Sequence, residues 1–251
     1  MQTSSSNRLR AILVLVALAG TILFNYFSAT GRINSVTPGE ISARYPSTIT
    51  PANYAFTIWS LIYLLLCIFS FYQLKQAAKE KLADIRPLFI LSCFLNCLWI
   101  YLWHLEFITV CFLVILALAF NLLYIVYLAS FKNSAADLWF VRFPFGIYAG
   151  WVSAATLVNL AIVLNFYGIL GLAPGIISSI LILTAGVLSI AARVLLKDYF
   201  FPLSIAWALT AIAIANSANT VVTVSAAIGV VISLIASASC VIDLPTRQQA
   251  S

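Results

Sequence analysis

PLFILSCFLNCLWIYLWHLEFITVCFLVILALAFNLLYIVYLASF, from Pro87 to Phe131, contains one histidine, His104, and one charged side chain, Glu106, and they sit together near its middle. About 20 apolar residues cross a bilayer as a helix. This run is more than twice that length, so it reads as two helices, 87–103 and 107–131, folded back on each other at His104-Leu105-Glu106. Membrane barrels read instead as short alternating segments with turns between them, and no alternation is present here. Working outward with the same ruler gives six further spans, 10–28, 54–74, 143–166, 173–193, 199–216 and 220–241. The last two are parted by the polar break Asn216-Ser217-Ala218-Asn219. The expected fold is an all-α integral membrane protein with eight transmembrane helices.

The composition agrees. Of 251 residues, 63% are hydrophobic and 8% are charged, against about 45–50% and about 25% in soluble domains. Arg8 and Arg10 precede the first apolar run, and Phe27-Ser28-Ala29 looks like a cleavage site, but the run is long enough to span and reads as the first helix. Arg8, Arg10, Lys75, Lys79, Lys81, Arg86, Lys132, Arg142, Arg193, Lys197 and Arg247 fall on one side of alternating spans, and only Arg32 and Arg44 on the other. Basic residues collect on the cytoplasmic side, so a multi-pass protein with both termini cytoplasmic is expected. The net charge of +6 follows from that bias, and without a basic patch interleaved with aromatics no nucleic-acid partner is expected.

Few residues suit acid–base or metal chemistry. The seven acids (Glu40, Glu80, Asp84, Glu106, Asp137, Asp198, Asp243) fall at helix ends or in loops, and His104 is the single histidine. No metal site, cofactor or catalytic residue is expected, and His104 with Glu106 reads as a polar turn. The five cysteines (Cys67, Cys93, Cys97, Cys111, Cys240) lie in apolar runs without disulfide or zinc spacing and read as packing residues.

What stands out is aromatic. Phe56, Trp59 and Tyr63 share one face of the second helix, at i, i+3 and i+7. Asn96, Trp99 and Trp103 repeat that spacing on the third helix, and Tyr148, Trp151 and Ala155 on the fifth, with Asn159 one turn further. If the stripes face one another they enclose an apolar cavity with a few polar groups, suited to a flat hydrophobic ligand. Trp103 and Trp139 also fit interfacial anchors. The 29–53 connection is long and rich in Pro and Gly, and reads as either a lid or a solvated connector. Gly146 and Gly150, followed by Ala154, permit close helix approach, within the chain or across a homodimer seam.

These residues carry a resemblance. Pro51-Ala52-Asn53-Tyr54-Ala55-Phe56-Thr57-Ile58-Trp59-Ser60-Leu61-Ile62-Tyr63 resembles the signature of the TspO/MBR family, the translocator or tryptophan-rich sensory proteins: a proline-led loop running into F-x-x-W-x-x-[LI]-Y. Leu95-Asn96-Cys97-Leu98-Trp99 resembles the family's L-N-x-x-W, and Tyr148 to Asn159 its Y-x-x-W…A…N. The resemblance covers residues 8–166 as a five-helix transmembrane unit, leaving 167–243 as three additional helices. It implies a receptor or sensor that binds a porphyrin or similar hydrophobic molecule among the helices under the first loop. Trp59, Trp99 and Trp151 would line the pocket, with Phe56, Tyr63, Asn96, Tyr148, Ala155 and Asn159 nearby. The segment before Phe56 departs from the family in lacking a tryptophan and paired prolines. A different class, a facilitator of a small organic solute, would use Asn216, Asn219, Thr220 and Thr223 to line a route.

Overall fold

Each apolar run becomes a helix. The computed structural model describes residues 2–45, 47–75, 82–132, 134–169, 171 and 173–239, with backbone only for 2–6. In chain order come α1 (Gln2–Ala29), α2 (Pro38–Arg44), a 3-10 turn (Asn53–Thr57) running into α3 (Ile58–Lys75), α4 (Ile85–His104) and α5 (Ile108–Ser130). Then follow α6 (Ala135–Asp137), a π turn (Leu138–Arg142), α7 (Phe143–Phe166), α8 (Pro174–Leu195), α9 (Phe201–Ala215) and α10 (Thr220–Ala238). No strand occurs among the described residues. Lys79, Lys81, Glu80, Cys240, Asp243 and Arg247 lie outside the described residues.

Seven of these stretches are long and apolar enough to cross a bilayer. The expected span at 199–216 differs: α9 has 15 residues, about 22 Å of helix against a hydrocarbon layer of about 30 Å. Polar side chains trim it at both ends. Asp198 Oδ1 accepts the Phe200 and Phe201 amides at 2.9 and 2.7 Å before the helix begins. Asn216 donates its side-chain amide to the Ile212 carbonyl at 2.9 Å where it ends.

α7 is the centre of the bundle. It packs on α3, α5, α8 and α9, while α1 packs on α3 and α4, and α8, α9 and α10 pack on one another. Buried residues make up 67% of its apolar window, against 28–39% in the other six. Its small residues allow this. A Cβ at Gly150 would collide with the Phe201 carbonyl and lie 2.9 Å from Ser204 Cβ; at Gly146 it would meet the Asp198 carboxylate and Phe200. Ser204 also donates to the Ile147 carbonyl at 2.8 Å. The Gly146/Gly150 face is therefore filled by the chain's own α9, which answers the choice left open between internal packing and a dimer seam.

Helix direction alternates, so the described basic side chains separate by end. Arg8, Arg10, Lys75, Arg86, Lys132, Arg142, Arg193 and Lys197 lie at one end, and Arg32 and Arg44 at the other, which carries α2. Lys132 Nζ pairs with Asp84 at 3.1 Å at the basic end. The acids Asp137 and Asp198 do lie at helix ends, but both are buried there. Burial pushes the Asp198 carboxyl up to about 6, although the Phe201 amide and the Arg142 charge oppose it.

Candidate functional site

A cavity with about 70 Å³ of enclosed space opens at the α2 end among α3, α4, α7 and α9. Its walls carry Phe56, Trp59, Trp99, Trp103, Trp151, Ala155 and Asn159, with Ala154, Val158, Ile162, Ala208 and Ile212 completing the apolar surface and Pro38, Ser42 and Pro51 at the loop. The helical spacing explains the convergence. Residues three and four apart stack along one face, and the faces of α3, α4 and α7 turn toward each other. Trp59 meets Trp151 edge-on at 6.3 Å and Tyr148 at 6.0 Å; Phe56 meets Trp151 edge-on at 6.1 Å. Such edge-to-face pairs hold rings apart at fixed angles and prevent collapse into a flat stack. Across the cavity, Trp99 donates its indole N–H to Asn159 Oδ1 at 3.4 Å, while the Asn159 amide donates to the Ala155 carbonyl.

Six of the nine side chains singled out from the sequence line this cavity: Phe56, Trp59, Trp99, Trp151, Ala155 and Asn159. The other three sit one layer deeper. Tyr63 stacks beneath Trp59 at 5.6 Å, Tyr148 is nearly fully buried, and Asn96 is fully buried and accepts from the Asn25 amide at 2.8 Å. Among the described residues, the Tyr63 hydroxyl, the Asn96 amide nitrogen and the Trp151 indole nitrogen are buried with no hydrogen-bond partner.

The 29–53 connection carries α2, and its Pro38, Ser42 and Pro51 border the cavity. Thr37 caps α2 with a reciprocal pair: its hydroxyl accepts from Glu40 N, and the Glu40 carboxylate accepts from Thr37 N at 2.6 Å. That bond holds the Glu40 carboxyl below its ordinary value. Ile41 then plugs into a small apolar cluster with Trp103, Ile108, Cys111 and Ile162. The hairpin turn between α4 and α5 supplies the latch. Glu106, at φ +58°, accepts from Arg44 and from the Tyr45 hydroxyl, both at 2.6 Å. The Tyr45 bond first, and then the Arg44 charge, hold its carboxyl below the ordinary range; Tyr45 is raised in return.

Several expectations change here. Trp103 is no interfacial anchor: it is buried, stacks on Trp99 at 6.4 Å and donates to the Pro38 carbonyl at 3.2 Å, so it ties α4 to α2. Trp139 does face outward, 55% exposed. His104 and Glu106 do not act as a pair; His104 Nε2 shares a hydrogen bond with Ser28 Oγ at 2.8 Å. Asn219 caps α10, and Thr223 donates to the Asn216 carbonyl. The polar side chains offered for a solute route thus serve a turn. The α9 wall, Ala208 and Ile212, was not anticipated. α9 is strapped to the α2 end by Ala52 N donating to the Ala211 carbonyl at 3.1 Å and Trp207 Nε1 to the Ala55 carbonyl at 3.0 Å. Among the described residues no cluster of His, Cys, Asp and Glu could hold a metal ion.

Fold and cavity together define a polytopic helical membrane protein with an aromatic cavity bordered by a helical loop. A family model described as TSPO-like protein matches residues 11–239. The chain belongs to that family, and the match runs beyond the five-helix unit into α10. Searches of curated proteins and of solved structures return no match.

Proposed function

We propose that this chain is a membrane receptor that binds a flat hydrophobic ligand in the cavity beneath α2, with tetrapyrroles as the first class to test. One observation carries the reading: Trp59, Trp99 and Trp151, from three separate helices, converge on one apolar chamber with no charged residue on its wall. Its enclosed space, about 70 Å³, is below the range of about 300–1,000 Å³ usual for small-molecule sites, so in this reading a flat ligand enters only as the loop carrying α2 moves aside. Family membership supports the same ligand class by likeness. In this reading the Glu106 latch governs access, α9 crosses the bilayer as a short eighth span, and both termini face the cytoplasm because the basic end of the bundle does. The role is sensing or ligand passage, with no chemical step assigned. No comparable observation supports a facilitator of small solutes.

The test is a titration of the chain in lipid nanodiscs with protoporphyrin IX, followed by the Soret band. Saturable binding at one site per chain, lost from a Trp59→Ala/Trp151→Ala double variant, is expected. Absorbance that rises linearly and equally with empty nanodiscs would refute the proposal.

A further inference from the structure

α3 and α9 both pack on α7 and leave a groove between them on the outside of the bundle. It takes in about 370 Å³, against about 70 Å³ enclosed by the aromatic cavity. Ile58, Ile147 and Ser204 form its buried floor, and Leu61, Leu203 and Trp207 its rim, each 39–41% exposed. The two spaces are separate and share a wall. Phe56 and Ala208 line the cavity, while their chain neighbours Thr57 and Trp207 line the groove.

The groove offers an occupant no polar contact. Its three polar side chains all donate to carbonyls of the chain itself: Thr57 to Tyr54 at 2.7 Å, Ser204 to Ile147 at 2.8 Å and Trp207 to Ala55 at 3.0 Å. No charged residue lines it. Its shape has a direction. At the α2 end it is blind, closed by the Trp207–Ala55 bond and by Tyr54, which meets the Trp207 ring edge-on at 5.4 Å. Toward the basic end it passes Phe143, which lies 4.8 Å from Phe200 and meets the exposed Trp139 edge-on at 5.8 Å. An outward tryptophan there marks headgroup level. The groove is also continuous with the lipid-facing surface. Leu64 and Ile68 follow Leu61 at i+3 and i+7, on the same exposed stripe of the α3 span.

We infer that the α3–α9 groove is a site for one phospholipid acyl chain, threaded from the leaflet at the basic end and held by shape without regard to headgroup. A chain lying on the open surface touches protein on one side. In the groove it touches α3, α7 and α9 together, and dispersion grows with each contact. The lipid thus becomes a packing element that braces α9, the shortest of the apolar helices, against α3. The inference stands apart from the receptor reading, because it uses a different space and a different ligand.

The test places the full chain in phosphatidylcholine nanodiscs doped with a phosphatidylcholine whose acyl chain carries a diazirine. After illumination, adducts are mapped by mass spectrometry. Leu61, Leu203 and Trp207 should each carry about fivefold more adduct than Phe120 of α5, the gain expected from contact on three sides in place of one. Phe120 is the reference because it is 64% exposed on an ordinary lipid-facing helix. Replacing the doped lipid by its phosphatidylglycerol counterpart should leave the pattern unchanged. Leu203→Trp fills the groove from one wall and Leu61→Trp from the other. Each should abolish the excess at the remaining rim residues and leave Phe120 labelling as it was, which also reports that the variant is folded. Rim labelling no stronger than at Phe120, or unchanged in both variants, would reduce the groove to ordinary lipid surface. Labelling that follows headgroup charge would assign retention to the basic end, and labelling lost in nanodiscs holding two chains would assign the groove to a second copy. Any of these overturns the acyl-chain site.

Discussion

Replacing Gly150 by alanine adds one methyl group where α7 and α9 are closest. The new Cβ would press on the Phe201 carbonyl, a backbone atom that cannot rotate away, and lie 2.9 Å from Ser204 Cβ. Overpacking of this kind costs about 1–3 kcal/mol, and a backbone obstacle puts the value near the top of that range. Helix propensity returns about 1 kcal/mol, the usual Gly-to-Ala gain. The net is a loss of about 2 kcal/mol, or about 4–8 °C in melting temperature for a chain of this size. Gly20 in α1 is the control, since a Cβ there meets nothing within 4 Å; Gly20→Ala should raise stability by up to about 1 kcal/mol. The free thiols of Cys93 and Cys111 are buried, so a thiol-reactive fluorophore that reports their exposure on heating reads both variants directly. Because α9 carries Ala208 and Ile212 of the cavity wall, Gly150→Ala should also weaken porphyrin binding, and Gly20→Ala should not. A Gly150→Ala variant as stable as Gly20→Ala would refute the account of α7–α9 packing.

The remaining predictions concern the ends of the bundle. Glu106→Gln should speed both association and release of a bound porphyrin in stopped-flow traces, since it weakens the charged bonds from Arg44 and Tyr45 that hold the lid; unchanged rates would disconnect the latch from access. The depressed Glu106 carboxyl fixes the direction of the pH effect. The latch should hold at neutral and mildly acidic pH and fail only as pH falls below the ordinary carboxylate value of 4.5, which faster porphyrin release in acid would report. Asp198 has the opposite sign: with its carboxyl raised from 3.8 to about 6, its contribution to stability falls as pH rises between those values. Asp198→Asn should thus stabilise the protein at pH 7.5, by up to about 3 kcal/mol, and have little effect at pH 4; thermal melts at the two pH values decide it. Trp103→Phe should loosen the lid without altering the aromatic floor, seen as faster labelling of Cys111 in the folded protein.

The helices were legible because a bilayer demands long unbroken apolar runs, and their ends differ from the sequence reading by a few residues, apart from the earlier start of α1. The stripe geometry was legible too, since residues at i, i+3 and i+7 must share a face. Depth was not: spacing puts Tyr63 on the face of Trp59 but cannot say that the indole covers it. Trp103 was misread for a similar reason, as a tryptophan near a helix end looks alike whether it meets headgroups or a folded loop. The lid helix left a signal that went unused, because Thr37-Pro38-Gly39-Glu40 carries the capping-box spacing with proline at the first helical position. The α9 wall left none, since its contact with α7 joins residues some fifty positions apart and depends on Gly150 meeting the Phe201 carbonyl.

The most direct test of the central claim is quenching of intrinsic tryptophan fluorescence by protoporphyrin IX, in wild type beside Trp59→Phe and Trp151→Phe. Saturable quenching in the wild type, with weaker affinity in both variants, is predicted. Quenching that does not saturate, or that is the same in all three proteins, would mean that porphyrin dissolves in the surrounding lipid or detergent and that the aromatic chamber is not its site.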